Sequence, residues 1–254
     1  MPNLQGRIAI VTGSSDGIGL ATARRLAESG ASVIVNSRTQ ARADAVARAF
    51  RDDGLRAHAV GADVSADGEA ERLVAETVAA FGGVDVLVNN AGVPSVAPAE
   101  ALPLAEFRRV LEVNLTAPFA CAQAAGRIML ANGKGVIVNV GSVFSRLGMP
   151  QRVAYSASKH GLDGLTQTLG AEWGPRGVRV VSVNAGYTAT ALVQGAMARG
   201  GFSEDDLARR TPLRRLATPD EIANVIAFVV SDDASFVNAT ALYADGGWTG
   251  YGGW

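Results

Sequence analysis

The sequence predicts an α/β protein built on a parallel sheet with helices on both faces. Short Val/Ile-rich runs alternate with longer alanine-rich segments of helical periodicity, and such alternation carries the chain from one parallel strand to the next through a crossover helix. No Pro/Ser-rich linker, composition break or solenoid-length repeat interrupts the pattern, so residues 1–254 read as one domain. Thirty glycines mostly punctuate the strand-to-helix turns.

Taken in order, the first strand is expected over 7–11, an apolar run entering a glycine-rich turn, with helical periodicity following over 17–29. Strand 31–36 leads to helix 40–53, strand 56–61 to helix 67–81, and strand 84–89 to a long helical pattern over 104–131. Strand 135–140 leads to helix 153–173; strands 179–183 and 240–244 complete a set of seven. Between 185 and about 218 the strand signal disappears, and an insertion of that length in a compact domain usually forms a lid or binding segment.

Composition narrows the function. Hydrophobic residues make up 48% of the chain, enough for a large core, and the formal net charge is −1 with no long basic run. Nucleic acid and anionic membrane surfaces are therefore not expected partners. Cys121, the single cysteine, cannot form an intramolecular disulfide and suits a reducing compartment. The first residues lack an apolar signal core, and the apolar run around 226–230 is too short to cross a bilayer, so a cytoplasmic protein is expected.

Ser142, Tyr155 and Lys159 share one thirty-residue stretch. Tyrosine and lysine four apart on a helix project from the same face. A phenol with a pKa of about 10 is a poor base at neutral pH, and a nearby ammonium stabilises the phenolate. The serine follows a buried strand pattern and can meet the pair across the strand end. This is a proton-transfer arrangement; its bland alternative is a tyrosine lying beside a solvated lysine.

Strand one runs directly into Thr12-Gly13-Ser14-Ser15-Asp16-Gly17-Ile18-Gly19. Glycines at a strand-to-helix turn let the backbone approach a pyrophosphate, whose charge is met by the helix N-terminus. The spacing is G-x-x-x-G-x-G. This turn, Asn89-Asn90-Ala91-Gly92, Asn114, Ser142 and Tyr155-x-x-x-Lys159 resemble, in order and spacing, the classical short-chain dehydrogenase/reductase family over essentially the whole chain. The resemblance implies a doubly wound Rossmann domain with seven parallel strands in order 3-2-1-4-5-6-7, binding a nicotinamide dinucleotide. It implies diphosphate and cofactor contacts from Gly13, Ser15, Gly17, Ile18 and Gly19, an adenine contact from Asp63 and Val64, and a cofactor wall from Asn90, Ala91 and Gly92. Gly186 and Thr188 would meet the nicotinamide, although Ala185 stands where the family usually has proline, which leaves that loop's conformation open.

An acidic residue at the end of strand two would hold a ribose 2′-hydroxyl and repel a 2′-phosphate. Here the chain reads Asn36-Ser37-Arg38. NADP(H) is expected, with Arg38 as the main phosphate contact helped by Asn36 or Ser37; NAD(H) stays possible because Asp16 occupies a place where NADP enzymes of the family often carry a second cation. In carbonyl reduction negative charge grows on the substrate oxygen, which needs a proton donor and a hydrogen-bond donor. The resemblance assigns the proton to Tyr155 and the orienting hydroxyl to Ser142. Lys159 lowers the tyrosine pKa and binds nicotinamide ribose, and Asn114 holds a water beyond it; an amide satisfying a helix kink is the alternative for Asn114.

Other chemistries find little support. Two histidines, His58 and His160, with one cysteine do not make a closed zinc site, so no metal is expected, and Ser142 lacks a G-x-S-x-G elbow. The segment 187–216 should choose the substrate, with Phe144, Gln151 and Tyr187 joining Ser142 and Tyr155 around it; Val143, Leu147, Met149 and Arg152 stand nearby. By resemblance the expected activity interconverts a secondary alcohol and a ketone on a polyol, sugar or small ketone. A 3-oxoacyl-[acyl-carrier-protein] reductase is the alternative enzyme, and a non-catalytic nucleotide-sensing protein the alternative of another class. A homotetramer is expected, with the tail 245–254, carrying Trp248, Tyr251 and Trp254, reaching toward another subunit.

Overall fold

The computed structural model describes residues 2–198 and 202–253. Seven strands form one parallel sheet: β1 (Ile8–Val11), β2 (Ser32–Ser37), β3 (Ala57–Gly61), β4 (Val86–Asn89), β5 (Gly135–Ser142), β6 (Val178–Ala185) and β7 (Thr240–Ala244). Their spatial order is β3-β2-β1-β4-β5-β6-β7, as the resemblance implies. The described helices are α1 (Gly17–Glu28), α2 (Gln40–Asp52), α3 (Glu69–Phe81), α4 (Leu104–Leu111), α5 (Ala117–Ala131), α6 (Val153–Trp173), α7 (Ala191–Ala198), α8 (Glu204–Arg210) and α9 (Pro219–Val230). Among the described residues no helix is long and apolar enough to cross a membrane.

Strand side chains alternate between two apolar layers, because successive residues point to opposite faces. Val33, Val35, Val86, Val88 and Val138 meet Leu26 of α1, Phe50 of α2 and Ile226 of α9. Their sequence neighbours Ile34, Leu87 and Ile137 meet Leu73 of α3, Met129 of α5 and Trp173 of α6 on the other face. The strands thus read as continuous Val/Ile runs because both faces are dry.

Three departures from expectation have local causes. The pattern over 104–131 is two helices joined by a five-residue π turn, Glu112–Thr116. Pro118 cannot donate to the carbonyl of Asn114 four residues earlier, and its ring crowds that carbonyl, so the helix widens there. Strand β5 extends two residues past 140, which makes Ser142 its last residue, and β6 runs through Ala185, paired with Ser142 and Ala244. The strandless stretch holds α7 and α8, and α9 follows it. Helices α8 and α9 open with capping boxes, Ser203 with Asp206 and Thr218 with Glu221, that sequence reasoning passed over.

Candidate active site

The strand order reverses between β1 and β4, and a crevice opens at the carboxyl ends of strands at such a point. The cleft there has a volume of about 660 Å³ and takes in both the glycine turn and Ser142, Tyr155 and Lys159. Gly13 and Gly17 have φ of 62° and 53°, a left-handed conformation that favours glycine. At Gly19 a Cβ would stand 2.3 Å from Asn90 Nδ2, so a side chain would push α1 off the β4 loop. Asn90 Nδ2 donates to Thr12 O (2.9 Å) and Gly13 O (3.2 Å), and Asn90 N and Ala91 N donate to Thr12 Oγ1. Asn90 and Ala91 therefore brace the turn as well as line the cleft with Gly92.

The turn is a cradle of backbone around the first turn of α1, and Ser15, Ile18, Asp63 and Val64 also face it. At the end of β2, Arg38 is exposed and lines the cleft together with Arg42 in the first turn of α2. Sequence reasoning missed Arg42, although it lies one helical turn beyond Arg38. Asn36 is not available as a phosphate ligand. It is 2% exposed, its Oδ1 accepts from Gly13 N (3.1 Å), and its Nδ2 donates to Val60 O and Ala62 O. Ser37 Oγ lies 3.2 Å from Ser15 Oγ. Asp16 is occupied as the cap of α1, accepting from Gly17 N at 2.7 Å. The second cation near the β2 end comes from α2 instead.

Ser142 and Tyr155 face each other across the cleft floor. The Lys159 ammonium donates to Val140 O (2.8 Å) and sits 5.8 Å from the centre of the Tyr155 ring. Burial pulls Lys159 down to about 8, opposed by the charge of Asp163. Burial also raises the Tyr155 phenol above its ordinary value, opposed by its hydrogen bond with Ser142 and by the Arg152 charge. Lys159 is 5% exposed and turned to a carbonyl, so desolvation penalises its own charge. The phenol is held protonated at neutral pH, the form that can donate.

Asn114 is fully buried in the π turn and does not line the cleft. Its Oδ1 accepts from Val93 N (2.8 Å), and its Nδ2 donates to Val93 O (3.0 Å) and Ser158 Oγ (3.1 Å). It ties the loop after Gly92 to the helix of Tyr155 and Lys159. Beyond β5, Ser145 Oγ and Ser182 Oγ donate to Asn184 Oδ1, while Asn184 Nδ2 donates to Asp163. Strand β6 stays paired through Ala185 without the proline, Gly186 N donates to Ala244 O, and Thr188 Oγ1 donates to Gly186 O.

Aromatic rings cluster beside Tyr155. Phe144 meets Tyr155 (6.0 Å between centroids) and Tyr187 (6.3 Å), and Tyr187 meets Phe202 (6.1 Å) and Trp248 (4.9 Å). Gln151, the expected substrate contact, is exposed and outside the cleft lining; its neighbour Arg152 lines it instead. Val143 lines the cleft, whereas Leu147 and Met149 do not. The tail folds back on its own chain: Arg210 lies 4.9 Å over Trp248 and 5.4 Å over Tyr251. Trp254 lies outside the described residues, as do 199–201 within the substrate segment. Cys121 is buried and pushed up to about 12, which keeps it a thiol.

The family model described as enoyl-(acyl carrier protein) reductase matches residues 13–249. The chain is 44% identical over 244 residues to a cis-4-hydroxycyclohexanecarboxylate dehydrogenase of Sinomonas cyclohexanicum, covering 96% of each. It is 40% identical over 247 residues to a D-threitol dehydrogenase of Mycolicibacterium smegmatis, covering 97% of this chain and 94% of that one. A gluconate 5-dehydrogenase from Burkholderia cenocepacia, solved with NADP and tartrate, superposes with a TM-score of 0.94 at 37% identity, covering 98% and 97%. Likeness that runs almost end to end at such identities makes the motif resemblance a kinship: this chain belongs to the short-chain dehydrogenase/reductase family.

Proposed function

We propose that the protein interconverts a secondary alcohol and a ketone with NADP(H), on a polyol, sugar or small ketone. The observation that carries this reading is one cleft holding a glycine cradle, two cations at the end of β2, and a protonated phenol beside a serine hydroxyl. The cradle fits a dinucleotide: side chains at Gly13 and Gly19 would collide with the β4 loop, so the backbone is kept bare there. Gly13, Gly17, Ile18 and Gly19 would hold the diphosphate, Arg38 and Arg42 the 2′-phosphate, Asp63 and Val64 the adenine, and Gly186 and Thr188 the nicotinamide end. The bound cofactor supplies or accepts the hydride.

The protein handles the proton and the geometry. As a carbonyl is reduced, Tyr155 donates its proton to the oxygen, and Ser142 donates a hydrogen bond that holds the oxygen in place and offsets its growing charge. Lys159, anchored on Val140 O, binds nicotinamide ribose and resupplies the proton. Asn114 acts as a positioning residue through Val93 and Ser158.

Residues 187–216 form the substrate segment, supported by the contact of Tyr187 with Phe144 and Phe202. A homotetramer in the cytoplasm completes the reading. Leu104, Phe119 and Val153 on α4, α5 and α6 are each more than 40% exposed, apolar side chains that a subunit contact would cover. The tail would meet a neighbour through Tyr251 and the residues after it. A second reading is a 3-oxoacyl-carrier-protein reductase, supported by 36% identity over 249 residues to a Synechocystis sp. 3-oxoacyl-[acyl-carrier-protein] reductase. Absorbance of NADPH and NADH followed with cyclic ketones, keto-sugars and acetoacetyl thioesters separates the readings. NADPH binding without turnover anywhere on that panel would instead mark a nucleotide sensor.

A further inference from the structure

We infer that Arg152 is the anchor for a carboxylate on the substrate, so that the protein acts on hydroxy or oxo carboxylic acids. This rests on the oxidoreductase reading above and narrows it to one substrate class.

Arg152 caps the N-terminus of α6, one turn before Tyr155, and lines the cleft. Its backbone is fixed on both sides. Arg152 N donates to Met149 O (3.2 Å), Ser156 N donates to Arg152 O (2.7 Å), and Gln151 O accepts from Ala97 N (3.0 Å). Gln151 holds φ of 63°, a left-handed conformation unfavourable for a residue with a side chain, which persists only where the surroundings impose it. The loop is therefore built to present its neighbour to the cleft.

One nitrogen of the guanidinium it presents is unsatisfied. Arg152 Nη1 is buried and has no hydrogen-bond partner, and among the described residues Arg152 forms no ion pair. Arg109, another arginine of the cleft lining, is paired with Glu106 at 2.7 Å, and the Lys159 ammonium is turned to Val140 O. A buried donor without a partner is destabilising, more so when it is charged. Phe144, Tyr187 and Phe202, which line the same cleft, carry no counter-charge for Arg152. The charge acts at the reacting end, since it opposes the effect of burial on both Tyr155 and Tyr187.

A planar fork of donors suits a carboxylate, which it binds through two parallel hydrogen bonds. Arg152 and Tyr155 stand three residues apart at the start of α6 and both line the cleft, so one small molecule can meet both. The same cleft of about 660 Å³ must also hold the cofactor, which keeps the acid small.

Two matched pairs test the assignment. In turnover with NADP, 4-hydroxycyclohexanecarboxylate is compared with its methyl ester. In binding to the NADP-loaded enzyme by calorimetry, cyclohexanecarboxylate is compared with the neutral cyclohexanecarboxamide. The wild type should prefer each acid by about 10- to 100-fold, the range expected for a charged hydrogen-bonded pair, with the turnover difference mainly in KM. Arg152→Gln should abolish both preferences and Arg152→Lys should keep part of them. Equal handling of acid and neutral partner by the wild type overturns the anchor, as does a preference that survives in Arg152→Gln. Arg152-dependent binding of the acid with no turnover of any alcohol would leave the anchor standing and defeat the oxidoreductase reading. Turnover of neutral alcohols without an acid preference would do the reverse.

Discussion

Replacing Lys159 by methionine removes a buried charge whose cost can be worked from the structure. Lysine ordinarily titrates at 10.5, and burial holds Lys159 at about 8 in the folded chain. At about 1.4 kcal/mol for each tenfold change in proton affinity, the protonated side chain carries a penalty of about 3 kcal/mol. The sign follows from proton counting. Below pH 8 the lysine is charged in both states and the penalty is fully present. Between pH 8 and 10.5 the unfolded chain binds a proton that the folded chain has released, so wild-type stability climbs; above 10.5 the penalty is gone. Lys159→Met has no such step. Urea unfolding of the cofactor-free proteins at fixed concentration should show the wild type gaining about 3 kcal/mol on the variant between pH 7 and 10.5. At pH 7 the variant should be the more stable, by less than that amount because the bond to Val140 O is lost. A stability difference that stays flat with pH would refute the burial argument. A difference running the opposite way would mean that a negative partner, not desolvation, governs this lysine.

The cofactor and tail assignments make further predictions. Replacing Arg38 and Arg42 together by alanine should raise KM for NADPH by about 10- to 100-fold while leaving KM for NADH nearly unchanged; an intact NADPH preference in steady-state assays would remove both arginines from the phosphate site. Truncation after Gly247 takes away the Trp248 ring packed 4.9 Å from Tyr187 and the Tyr251 ring under Arg210. It should raise substrate KM and weaken the proposed tetramer, measured by kinetics and light scattering; unchanged values of both would show that the tail serves neither.

The fold was legible because its signals are local. Dry-faced strands announce themselves as Val/Ile runs, and the turn from Gly13 to Gly19 needs bare backbone wherever the β4 loop comes close. The π turn was foreshadowed only by Pro118, whose effect falls on a carbonyl four residues back. Helices α8 and α9 carried readable caps, yet the apolar signal around 226–230 did not fix their bounds. The site was legible as a set of residue types and less so as a set of partners. Asn36 has a suitable amide, but long-range bonds to Gly13, Val60 and Ala62 consume it. Arg42 reaches the cleft only because α2 starts where it does. Gln151 and Arg152 are adjacent in sequence, and the left-handed backbone at Gln151 turns one out and the other in. The spacing of Tyr155 and Lys159 suggested an ammonium acting on a phenol. The carbonyl that receives the ammonium, Val140 O, belongs to a strand nineteen residues away.

Substitution of Tyr155 by phenylalanine tests the central claim most directly, with NADPH consumption on the best ketone or oxo acid as the readout. The ring and its contact with Phe144 remain, and only the proton donor is lost. Turnover should fall by about 10²- to 10⁴-fold, the usual contribution of a positioned acid, while NADPH binding stays within a few-fold of wild type. Turnover that survives largely undiminished would contradict the assignment of the proton to Tyr155.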